Sequence, residues 1–364
     1  MDVIRRPILP PGSLERLCVF CGLRPNEKTV EHIIPRWLIE MTGPGGRIAN
    51  LGVDWYRGTP RKFAFGRFTF PACDLCNQKY SKLEGEAKRT IHDLLDKDEA
   101  TVVGIARLFD WFDKIRVGLW LGFRYLDKNY WNIRPHFHID QRLGKYDRIL
   151  SIYRDARREM RGISFFGVNT PIFSHMPSCF MLRINNMGFV NSSSIGLVAK
   201  QLGFPYPSDE PAEKTDLGTT IIIESGTGEI SLPLYKACPP AGGYSLVQPM
   251  FRIEALGSES PYNTKYVREK SIDFDNGVGA IFSGDTAEML QDSVSIQERE
   301  VDWKKIEDYT LKLQHRLWLD GSQMDPDMAA NPEYRRIVAA TQRKISKLPE
   351  QRRRLRRYRG PGKY

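Results

Sequence analysis

The sequence lacks any apolar run near the roughly 18 residues that a bilayer-spanning helix needs. Its opening stretch, Met1 to Pro7, holds no apolar segment of the kind that directs secretion. It shows no internal repeat and no phosphate-binding glycine loop between residues 160 and 300. Acid is missing from the last 14 residues, Gln351 to Tyr364, which carry six Arg and one Lys and supply +7 of the net +10. Cysteine is scarce, at six in 364 residues. Together these absences argue against a membrane span and a disulfide framework. The expectation is a cytoplasmic chain, or one associated with a bacterial nucleoid, with no membrane partner.

Hydrophobic residues make up 41% of the chain, enough for substantial cores. The texture divides it into three parts: residues 1–95, rich in Cys, His and Asn; 96–300, of mixed helical and β character; and 301–364, helical with a basic tail. Trp37 to Met41 reads as a short helix after Pro35, and residues 61–70 as one strand with an aromatic face. Tyr80, Leu83, Ala87, Ile91 and Leu94 mark a helix from Cys76 to Leu95. Residues 98–126 read as a buried helix or two joined near Gly118 and Gly122, and 141–160 as an amphipathic helix. Short β runs follow, including Cys179–Ile184 and a hairpin over Thr220–Leu232. Residues 301–320 and 332–348 return to helix. His136 and His138 alternate like one face of a strand, and Cys179 and Cys238 read as core or loop residues.

Four of the cysteines form two Cys-x-x-Cys pairs, Cys18/Cys21 and Cys73/Cys76. Two such pairs can place four sulfurs tetrahedrally around one structural Zn2+. Between them Glu31 and His32 are adjacent, and Asn77 follows the last cysteine. An imidazole titrating near neutrality suits a general base. A carboxylate and an amide carbonyl are hard oxygen ligands suited to Mg2+ or Mn2+. Glu84 sits seven residues after Asn77 and can reach the same site or join another network, ligation being the less favoured option. Lys79 either meets phosphates or belongs to a solvated helix face, and Arg36 is better placed to meet them. The tail is placed to meet them as well, through Arg352, Arg353, Arg354, Arg356 and Arg357, with a solvated terminus as the alternative.

These residues resemble a known family. Cys18-x-x-Cys21, Thr29-Val-Glu-His-Ile-Ile-Pro35, Gly45-Gly46 with Asn50-Leu51, and Cys73-x-x-Cys76-Asn77 look like an HNH endonuclease with cysteine knuckles, over about residues 15–90. The resemblance implies an α+β chain opening on a zinc-stapled ββα-metal module, followed by a mixed helical/β region and C-terminal helices. It implies His32 as general base, Glu31 and Asn77 as ligands of Mg2+ or Mn2+, and Asn50 as the residue that orients His32. In the family that Asn lies close before the second knuckle; here residues 51–72 intervene.

The resulting expectation is a metal-dependent nuclease acting on DNA rather than RNA. One such module cuts one strand, so double-strand breaks need a homodimer or two nicks. Residues 96–300 are expected to serve recognition, oligomerisation or control by a protein or ligand. The fusion resembles prokaryotic antiviral defence effectors. Two rivals stand beside it: a non-catalytic zinc module that binds nucleic acid or protein, and a ligand-gated effector acting on RNA.

Overall fold

The computed structural model describes residues 17–323 and Arg343, apart from 26, 54–59, 66–68, 127–134, 136, 145, 205, 209–212, 216–217, 221–222, 225–226, 228, 232–237, 250–270 and 274–277. The chain is mixed α/β, with several antiparallel sheets and helices. It begins β1 (Lys28–His32), α1 (Arg36–Met41), β2 (Ile48–Val53), β3 (Pro60–Ala64), β4 (Thr69–Cys73) and α2 (Asp74–Lys97). Next come β5 (Glu99–Thr101), α3 (Val102–Leu126), α4 (Ile139–Arg142), β6 (Asp147–Arg154), β7 (Ile163–Phe166), α5 (Pro171–His175), β8 (Cys179–Ile184), β9 (Met187–Ser194) and α6 (Leu197–Gln201). The short strands β10 (Tyr206–Pro207), β11 (Glu213–Thr215), β12 (Gly218–Thr220) and β13 (Ile223–Glu224) precede β14 (Tyr244–Gln248). The described elements close with β15 (Ser271–Asp273), β16 (Val278–Gly279), β17 (Phe282–Ser283), β18 (Ser293–Ser295) and α7 (Trp303–Gln323). None of the described helices is long and apolar enough to cross a membrane.

In the N-terminal part, β1 pairs antiparallel with β4, placing Lys28 opposite Cys73 and His32 opposite Thr69. Pro35 ends the strand segment and stands at the N-cap of α1, where its fixed φ is tolerated. Arg47 closes the other end of α1, donating to the Ile39 carbonyl at 2.7 Å. The aromatic stretch at 61–70 is two strands rather than one. β3 pairs with β2, Phe65 interrupts, and β4 pairs with β1. Alternation alone does not show where a strand changes partner. α2 starts directly after Cys73 and buries Tyr80, Leu83, Ala87, Ile91 and Leu94 on its apolar stripe.

The central element is α3, a single helix buried nearly all round. Gly118 sits where a Cβ would lie 2.6 Å from Ile33 Cδ1, so α3 packs closely on the segment after β1. Gly118→Ala gains about 1 kcal/mol of helix propensity. It meets an overpacking cost of about 1–3 kcal/mol against the fully buried Ile33. A net loss of stability in denaturant titration is expected; a gain would mean that the Ile33 contact is loose.

A six-stranded antiparallel sheet, ordered β17-β14-β6-β9-β8-β7, lies beyond α3. On one face Phe112 of α3 meets Phe180 and Phe189. On the other, Tyr309 of α7 reaches Ser151, and Gln314 donates to the Cys179 carbonyl at 2.9 Å. With both faces covered, every residue of β6 is buried. That corrects the expected helix over 141–160. β6 mixes apolar Ile149, Leu150, Ile152 and Tyr153 with Asp147, Arg148, Ser151 and Arg154, which are buried too, so its polar residues do not alternate with its apolar ones as in a half-buried strand. The expected hairpin at 220–232 is also displaced: β11 pairs with β12, and β13 with β10. His138 immediately precedes α4 instead of lying in a strand, and His136 is outside the described residues. One hydrophobic cluster runs from Cys18 through α3 to Ile296. The helix expected over 332–348 and the basic tail fall outside the described residues, Arg343 excepted.

Candidate metal centre and the adjoining site

The loop carrying Cys18 and Cys21 folds back on itself through Cys18 N to Leu23 O at 2.8 Å and Gly22 N to Cys18 O at 2.9 Å. Gly22 adopts φ 71°, and a Cβ there would lie 2.4 Å from Nδ1 of His138. Both the conformation and the space require glycine. Val19 N donates to Pro71 O at 2.9 Å, which sets this loop beside the end of β4. Cys73 and Cys76, at the β4–α2 junction, then face Cys18 and Cys21.

The four sulfurs lie within 4.8 Å of one another, and Cys21 Sγ is 3.8 Å from Cys73 Sγ. A tetrahedral zinc with Zn–S bonds near 2.3 Å separates its sulfurs by about 3.8 Å. The cluster therefore has the donor type and dimensions to hold a zinc ion. Burial works against the Cys18 thiolate, but amides of Cys21, Cys73 and Phe20 outweigh it and lower the pKa. Burial and the neighbouring Cys18 and Cys21 push Cys73 up to about 12, and burial likewise raises Cys76. Cys73 and Cys76 are therefore held as neutral thiols, and a bound cation is what would let all four sulfurs ionise.

Beside this cluster, β1 presents Glu31 and His32, and the first turn of α2 presents Asn77. Asn77 Nδ2 donates to Thr29 Oγ1 at 3.2 Å, while Thr29 Oγ1 donates to Ala72 O at 3.1 Å. This ties α2 to the β1–β4 pair and turns the Asn77 carbonyl oxygen away from Thr29. His32 is half-buried. Its pKa is lowered by burial, and by the charges of Arg36 and Lys114 against the opposing pull of Glu31. The imidazole is thereby kept neutral, the form that accepts a proton, at neutral pH.

Glu31 is buried, and Lys114 of α3 lies against it with Nζ 2.6 Å from Oε1. The same ammonium contacts Glu84 of α2. Burial raises the Glu84 pKa, as does Glu31, with Lys114 pulling the other way. The ring of Phe20, from the cysteine loop, lies 5.8 Å from the Lys114 ammonium and stacks on Tyr80. Lys114 thus joins the cysteine loop, β1 and α2. Reading the sequence missed it, because α3 looks like packing. The available signal was its charge: Arg107, Asp110, Asp113, Lys114 and Arg116 fall inside an otherwise apolar and aromatic segment. Of the other charges, Arg107 pairs with Glu86 of α2 at 3.4 Å, and Asp110, Asp113 and Arg116 anchor α3 to the sheet. Arg116 bonds Asp113, Asn191 and Ser193, and Arg148 of β6 bonds Asp110 and Gln248.

The other sequence-derived residues are more scattered. Asn50 lies in β2 opposite Lys62 of β3, in a sheet separate from β1–β4, and its side chain is outside the described residues. Arg36 is exposed at the start of α1. Lys79 is exposed on α2 and pairs with Asp140 at 3.3 Å. Arg352, Arg353, Arg354, Arg356 and Arg357 are outside the described residues. Cys179 and Cys238 are buried, away from the four-sulfur cluster. No protein-family model, curated protein or solved structure matches this chain.

Proposed function

We propose that the chain is a zinc-stapled, divalent-metal-dependent nuclease of the HNH kind, with DNA rather than RNA as its substrate. The observation that carries this reading is the four-cysteine cluster that sets the Glu31–His32 strand against the helix bearing Asn77. In this reading zinc is structural, since four sulfur ligands leave no open position. Glu31 and the Asn77 carbonyl supply hard oxygen donors for Mg2+ or Mn2+. When bound, that ion neutralises phosphate charge and stabilises the leaving oxygen. His32, neutral through its lowered pKa, takes the proton from the attacking water. Arg36, exposed at the first residue of α1, offers its guanidinium to a flanking phosphate. The basic tail adds non-specific affinity for the same polyanion.

The test is cleavage of supercoiled plasmid, linear duplex, single-stranded DNA and RNA by the full-length, zinc-loaded protein, with and without Mg2+ or Mn2+. Divalent-dependent nicking of the plasmid is expected. Absence of cleavage on every substrate would overturn the reading. One observation favours a second reading, a zinc-stapled binding module without chemistry: the buried Lys114 already occupies one oxygen of Glu31. Nucleic-acid binding without cleavage would select it.

Asn77→Ala should raise the Mg2+ concentration needed for half-maximal cleavage by about tenfold or more, since loss of a group that only supports a ligand already costs about 10–100-fold. A Mg2+ titration that overlays the wild type would remove Asn77 from the ligand set.

A further inference from the structure

Lys114 is wholly buried, with its ammonium in contact with two carboxylates whose side chains are 8% (Glu31) and 20% (Glu84) exposed. Two carboxylates and one ammonium leave the trio with a net charge of −1. Glu31 comes from β1 and Glu84 from α2, the two elements that also carry His32 and Asn77. Seven residues, or about two turns, separate Asn77 from Glu84, so both lie on the same side of α2. Without Lys114 the two carboxylates would share one ligand and form a −2 pair, a composition that attracts divalent ions. Stability alone gives little reason to keep such a trio. Replacing buried ion pairs by packed apolar groups is often neutral or stabilising, whereas leaving one charge unpaired is costly.

We propose that Lys114 is an internal cation that removes Glu84 from metal coordination and leaves only the second oxygen of Glu31 for a divalent ion. This rests on the reading above, in which Glu31 is a metal ligand. It makes Lys114 a specificity-determining residue: the site is built for a single ion held by Glu31 and Asn77, and the carboxylate pair is closed to metal by an ammonium fixed from α3. The Phe20 ring over the ammonium places this lock directly beneath the cysteine loop.

The experiment measures Mn2+ binding to the full-length, zinc-loaded protein by the loss of the free aqueous Mn2+ resonance, with zinc content and circular dichroism as checks on folding. Glu84→Gln should weaken Mn2+ binding by no more than about tenfold, because it removes one charge from the trio but no ligand. Lys114→Met should bind Mn2+ at least tenfold more tightly, because the freed pair adds a second carboxylate. Lys114→Met combined with Glu84→Gln restores the net charge of −1 and should return affinity to near the wild-type value. Three results would overturn the proposal: Mn2+ binding weakened by more than about tenfold in Glu84→Gln, no gain in Lys114→Met, or a gain that survives in the double variant. Should Lys114→Met lose its fold, the Glu84→Gln titration still decides, since a loss beyond about tenfold there makes Glu84 a ligand. Should the wild type bind no Mn2+ and cut nothing, the nuclease reading falls. Lys114 as a lock is then judged separately, by whether Lys114→Met creates a Glu84-dependent Mn2+ site.

Discussion

His32→Ala is expected to lower cleavage by about 10²–10⁴-fold while zinc content and the unfolding transition stay at wild-type values. The separation of the two effects follows from position. His32 lies at the end of β1, outside the four-sulfur cluster, and its side chain is only half-buried. Removing it deletes a proton acceptor but no zinc ligand. Glu31, Lys114 and Glu84 remain in contact with one another, so the buried charges stay paired. Cleavage near the wild-type rate would show that another group takes the proton. Loss of folding would show that the imidazole is a packing element.

Cys73→Ser is expected to act in the opposite way, through the fold. Cys73 ends β4, stands at the N-cap of α2, and its amide donates to Cys18 Sγ at 3.3 Å. Structural zinc sites have apparent binding free energies of about 10–16 kcal/mol in isolated peptides. That is comparable to the whole stability of a typical domain, about 5–15 kcal/mol. Serine keeps the size of the side chain but supplies a poor zinc ligand. The variant should lose its zinc, and the β1–β4 pair and the start of α2 should become accessible to protease and hydrogen exchange. Elemental analysis reads the first effect and hydrogen exchange the second. Wild-type protein purified without zinc would remove the premise. Cys179→Ser or Cys238→Ser should leave zinc content unchanged, since neither sulfur belongs to the cluster.

The two experiments probe different features of the same small region. The cysteines hold backbone elements together, whereas Glu31, His32 and Asn77 are carried by those elements. A variant that lost both zinc and activity would say nothing about chemistry. One that kept zinc and lost activity isolates it. Lys114 lies between these cases. It touches the cysteine loop through Phe20 and the strand through Glu31, so its replacement must be read with zinc content alongside metal affinity.

Spacing within a few residues made the cysteine pairs, α1 and α2 legible in the sequence. Two Cys-x-x-Cys units need only local geometry to present two sulfurs each, and the stripe from Tyr80 to Leu94 follows the 3.6-residue period directly. Likewise α7 begins where the helical pattern resumes near residue 301. What only the tertiary structure decided lies in long-range partners. β6 reads as an amphipathic helix because Asp147, Arg148, Ser151 and Arg154 look like a solvated face, whereas the fold buries them among partners from other elements. The 61–70 stretch reads as one strand because the change of partner between β3 and β4 leaves no mark in the pattern. Lys114 reads as a charge on a packing helix because its role is set by Glu31 and Glu84, which α3 meets only once it has docked over Ile33 at Gly118. Local periodicity is written in neighbouring residues and survives in the bare chain. The pairing of a buried charge depends on which distant carboxylate the fold brings within 3 Å, and no property of the residues around position 114 encodes that distance.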